Sequence, residues 1–75
     1  MIFFIEYDLT QGRIVELCAF AEAERARAHQ KRLERELSIS RDGIHREVVL
    51  LEAASEEVLR RTHRRYFENL EQLST

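Results

Sequence analysis

The sequence predicts an α+β fold: a small two-layer ββαβα domain in which a three-stranded sheet of order 2-1-3 carries two helices packed mainly on one face. Three observations predict it. Runs rich in β-branched and aromatic residues fill Ile2–Tyr7 and Glu47–Ala53, and a third, over 13–19, follows the first across a short Gly-containing connection. Residues Ala21–Leu37 then switch to Ala, Glu, Arg, Gln, Lys and Leu without a Gly or Pro, a composition that favours helix. Ser55 opens a second such stretch. A chain of 75 residues supports one domain spanning 1–75, and folding at that size buries only roughly 60% of the unfolded surface, so self-association would add needed stability.

Taken in order, the first strand is the most apolar and belongs in the centre of the sheet. Leu9-Thr10-Gln11-Gly12 makes a hairpin, with Gly12 supplying a positive φ at the exit of the turn. The second strand contains Arg13 and Glu16, which suits an edge. The first helix carries a stripe of Ala23, Ala26, Leu33 and Leu37, with Gln30 between, at a 3-4 spacing expected to face the sheet. Arg41-Asp42-Gly43 is a turn signal before the third strand. Ser55 is an N-cap, and Glu56 and Glu57 complement the positive end of a last helix running to about Leu73. The crossover from the second strand through the first helix to the third spans the first strand as a split βαβ unit.

Alternation along the strands then divides the apolar residues between two faces. One holds Phe3, Ile5, Tyr7, Val15, Leu17, Val49, Leu51 and Ala53 beneath Leu33, Leu37, Leu59, Tyr66, Leu70 and Leu73 of the helices. The other holds Ile2, Phe4, Ile14, Cys18, Val48 and Leu50 and is left without a cover. A contiguous apolar patch of that kind marks an interaction surface, so these six residues form the candidate interface of a homodimer. Edge pairing through the third strand is a second route to the same state.

Glu6, Glu16, Glu52 and Arg46 border that patch and form a candidate polar site: rim charges that limit unwanted pairing, or carboxylates that bind a cation, act as a general acid or base, or line a small-molecule site. The only dense basic cluster is Arg60, Arg61, Arg64 and Arg65, a candidate anion-binding set because guanidinium groups grip phosphate in bidentate fashion. Glu56, Glu57 and Glu68 stand four residues from Arg60, Arg61 and Arg64, so the same cluster also reads as a solvated ion-pair face. The net charge of −2 gives no reason to expect a nucleic-acid partner.

No catalytic constellation, cofactor motif or metal-ligand spacing is present. His29 and His45 lack a second histidine at helical spacing, and His63 shares a face with Leu59, Tyr66 and Leu70. Cys18 is the only cysteine, so there is no disulfide framework, and its surroundings carry no nucleophile motif. A reducing cytoplasm suits such a chain. The opening Met1–Ile5 run is too short and too quickly followed by Glu6 and Asp8 for a secretory signal, and no stretch approaches the ~20 apolar residues of a membrane span. The element order resembles fragments of ferredoxin-like proteins that dimerise through their sheets, with ββαβα in place of a duplicated βαβ. The expected function is a small cytoplasmic homo-oligomeric interaction or regulatory module. A small-molecule site at the sheet face and anion binding by the arginines are the alternatives.

Overall fold

A computed structural model of the chain describes residues 1–68. Strands β1 (Ile2–Asp8), β2 (Arg13–Phe20) and β3 (Arg46–Glu52) form one sheet in the order β2-β1-β3, and helices α1 (Arg25–Asp42) and α2 (Glu56–Thr62) pack against it. Both neighbours of β1 run antiparallel to it. The fold class, the strand order and the central place of β1 are those read from the sequence. β1 is central because its apolar residues occupy both faces, and Ile2, Phe3, Phe4 and Ile5 are all buried.

The β1–β2 hairpin closes on Asp8. Its carboxylate accepts the N–H groups of Thr10 and Gln11 at 2.8 Å each, and Gly12, at φ 67°, donates its N–H to the Asp8 carbonyl at 2.8 Å. The pairing then slips by one residue. Glu6 stands opposite Glu16 but Tyr7 stands opposite Ile14, leaving Val15 as the extra residue of a β-bulge. The bulge moves Ile14 onto the face of Tyr7 and Leu17, and Val15 is 44% exposed. Simple alternation assigned these two residues the other way round.

The helices do not share a face. The core cluster of Phe3, Ile5, Leu59 and Tyr66 places α2 over the odd-numbered side of β1, with Tyr7, Leu17, Val49, Leu51 and Ala53 packed around it. α1 lies over the other side, where Lys31 and Arg35 stand above the Phe4 ring and Ala28 and Ile39 are buried. The crossover from β2 to β3 carries α1 over β1, and the hand of that connection decides which face the helix takes.

Helix α1 starts and ends later than composition suggested. A 3-10 turn over Glu22–Glu24 precedes it, and Ser38–Asp42 continue it to a glycine cap. Gly43, at φ 66°, donates to the Ser40 carbonyl and Ile44 donates to the Ile39 carbonyl at 3.1 Å, the paired bonds of a Schellman stop. α2 begins as read, with the Ser55 hydroxyl accepting the Val58 N–H at 3.2 Å. It stops at Thr62, whose hydroxyl turns back to the Val58 carbonyl at 3.0 Å, and a 3-10 turn over Arg64–Tyr66 follows. That break swings Tyr66 under the sheet, edge-on to Tyr7 with ring centroids 5.2 Å apart. The expected continuation to Leu73, with Leu70 and Leu73 in the core, lies outside the described residues.

Candidate functional site

Two carboxylates on the α1 face set the geometry of this region. Glu6 and Glu16 are cross-strand partners, and like charges in that position repel. A cation must stand between them, and Arg35 supplies it: its guanidinium bonds to Glu6 and reaches Glu16 at 2.8 Å. Arg46 approaches Glu6 from β3 at 2.6 Å, and Lys31 approaches Glu16 at 2.5 Å while lying 3.2 Å from the Cys18 sulfur. With Asp8 3.6 Å from Arg46, three negative groups face three positive ones. Glu6 is 2% exposed, and the guanidinium groups of Arg35 and Arg46 take the place of the water its carboxylate loses at this depth.

The electrostatics follow from those distances. The Lys31 ammonium and, after it, the Cys18 thiol hold the Glu16 carboxyl at about 2 against the opposing effect of burial. Glu16 in turn raises Lys31 and Arg35. Backbone N–H groups of the turn, Gln11 foremost, keep Asp8 below its ordinary value. These shifts favour the charged forms of Glu16, Lys31, Arg35 and Asp8, the opposite of what a general acid or base needs near neutrality.

This arrangement decides the candidate polar site. Glu6 and Arg46 bind each other, Glu16 is taken by Lys31 and Arg35, and Glu52 pairs with Arg25 at the far end of α1. The four residues lie along one face, where Glu6, Glu16 and Glu52 are clamped to cations of α1 and Arg46 ties β3 to β1. Lys31 and Arg35 were not singled out in the sequence. Their signal was the spacing Ala28, Lys31, Arg35, Ile39, a stripe that uses aliphatic stems as apolar surface and places the charged ends at its margin. Their cations lie 4.9 Å and 5.4 Å from the Phe4 centroid.

The candidate interface changes for the same reason. Ile2 and Phe4 are 1% and 0% exposed within a single chain, covered by α1. Cys18, Val48 and Leu50 are half-buried, and Ile14 belongs to the opposite face. The six residues do not form an open patch. Leu33 and Leu37, expected against the sheet, are instead 55% and 63% exposed on the outer side of α1.

The four arginines each have a carboxylate. Arg60 pairs with Glu56 at 3.2 Å, Arg61 with Glu57 at 3.3 Å, Arg64 with Glu68 at 3.0 Å and Arg65 with Glu47 at 3.0 Å. Arg65 also stacks on Tyr66 and Arg60 on Phe67, so the cluster braces the 3-10 turn that carries Tyr66. A recess of about 270 Å³ lies beside it, floored by Ile14, Leu17, Tyr66 and Phe67 with Arg13 and Arg60 at the rim. That volume falls just under the range of roughly 300–1,000 Å³ typical of small-molecule sites. Among the described residues there is no cluster of metal-ligating side chains and no helix long and apolar enough to cross a membrane. Comparisons with protein-family models, with curated proteins and with solved structures return no match for this chain.

Proposed function

We propose that this protein is a small interaction or regulatory module that associates with copies of itself, and that the contact surface is the outer face of α1. One observation carries the reading: α1 sends Lys31 and Arg35 inward and leaves Leu33 and Leu37 more than half exposed. A helix on a monomer's surface ordinarily does the reverse. The cost of the inversion is offset when the leucines meet a second apolar surface, and a domain of this size gains most from such a partner. A cytoplasmic setting accords with a lone cysteine held at a lysine rather than in a disulfide.

The test is the solution mass. Sedimentation velocity between about 1 and 100 µM, the range in which a weak specific dimer assembles, is expected to show a concentration-dependent dimer. Leu33→Lys with Leu37→Lys is expected to leave only monomer with an unchanged circular dichroism spectrum, because both side chains point to solvent in the single chain. A wild-type chain that stays monomeric throughout overturns the reading.

A further inference from the structure

The outer face of α1 carries more than two leucines. Ala26, Gln30, Leu33, Leu37 and Ser40 recur at alternating spacings of four and three, and all five are exposed. That is the a/d seam of a coiled coil, with Gln30 and Leu37 at a and Ala26, Leu33 and Ser40 at d. At about 100° per residue, Leu33 and Leu37 lie about 200° to either side of Arg35, so the seam is centred directly opposite the side chain that clamps the sheet. Two copies can therefore join α1 to α1 with their sheets outermost and with no change to either domain.

Charge selects the orientation. The positions flanking the seam are His29 and Glu36 on the g side and Arg27, Glu34 and Arg41 on the e side. In a parallel pair a g residue meets the e residue five positions on, which sets Glu36 against the partner's Arg41 and His29 against the partner's Glu34, each twice by symmetry. In the antiparallel pair that seats Leu33 on the partner's Leu37, Arg27 instead meets the partner's Arg41, and Glu34 and Glu36 each meet their own copies. The first arrangement is complementary and the second repulsive. Gln30 points the same way: in a parallel pair it meets its own copy at an a layer, where two side-chain amides can bond to each other and fix the register.

We infer that the self-association proposed above, on which this inference rests, is a parallel, in-register, two-stranded pairing of α1 through Leu33 and Leu37, with orientation set by Glu36 and Arg41. A seam with only two leucines per chain suits a reversible dimer rather than a permanent one. Glu36 is held only loosely within its own chain, 3.5 Å from Arg32 with its side chain 43% exposed, so it can reach a partner.

Directed cross-linking separates this arrangement from its alternatives. In the full chain with Cys18→Ala, the added substitution Ser40→Cys places a thiol at a d layer. Parallel pairing brings it against its own copy, and mild oxidation with a glutathione buffer is expected to convert nearly all the dimer into a disulfide-linked species. A mixture of the Gln30→Cys and Ser40→Cys chains, each also Cys18→Ala, reports the antiparallel case, in which position 30 meets position 40. Glu36→Arg is expected to weaken association about tenfold, and Glu36→Arg with Arg41→Glu to restore it, because the swapped pair is complementary again. A dimer that cross-links only in the mixed sample overturns the parallel arrangement and leaves self-association standing. A chain that is monomeric before any substitution overturns both.

Discussion

Glu6 is the side chain on which the α1 face depends. It is buried between two guanidinium groups, and its removal leaves Arg35 of α1 and Arg46 of β3 facing each other on the same side of the sheet. Glu6→Ala is expected to cost about 2 kcal/mol, below the 3–5 typical of a broken buried pair, because both arginines are 31% exposed and can turn to water. Glu52 makes the contrasting case. Its bond to Arg25 lies between two half-exposed side chains, and Glu52→Gln is expected to change stability by less than about 0.5 kcal/mol. Urea unfolding of both variants checks the pair of values, and equal losses would show that burial is not what makes Glu6 different.

At the scale of elements, the stop of α1 is a backbone device. Gly43 has open space where a Cβ would stand, so the cost of Gly43→Ala comes from its positive φ alone and is expected to be about 1 kcal/mol by thermal or urea unfolding. Elements of this kind were legible in the chain itself: Gly12 and Gly43 marked turns, Ser55 marked a helix start, and the two-sided apolarity of Ile2–Ile5 marked a central strand. Facing was harder to read. The bulge at Val15 changes a register without a Gly or Pro to announce it, so Ile14 and Val15 exchange sides. The inversion of α1 was hidden because Leu33 and Leu37 are its only leucines and its buried apolar residues are just Ala28 and Ile39, while the stems of Lys31 and Arg35 serve as apolar surface only when a ring such as Phe4 lies beneath them. Once α1 is placed over Phe4, the carboxylates Glu6, Glu16 and Glu52 are seen paired with Arg35, Lys31 and Arg25 of that helix.

For the molecule as a whole, the clamp fixes how stability varies with pH. Glu16 has a folded value of about 2 against an ordinary 4.5, so the folded state binds its proton less readily than the unfolded chain. Its contribution is therefore complete above about 4.5 and is lost as the pH falls toward 2, and the lowered Asp8 acts with the same sign. The raised Lys31 contributes below its ordinary 10.5 and is lost only as the pH rises past it, which leaves the neutral range flat. The urea midpoint measured against pH is expected to show this plateau and acid limb, with a shallower limb in Glu16→Gln. An unaltered limb in that variant would remove Glu16 from the account. The two faces of the sheet are thus cohesive for different thermodynamic reasons. The Phe3 side is held by apolar burial, which weakens on cooling as hydration loses its entropic penalty. The Phe4 side adds ion pairs to its apolar burial, and these respond to ionic strength as well. Added salt therefore weakens the hold of α1 on the sheet while the apolar packing of α2 on the Phe3 side is left in place.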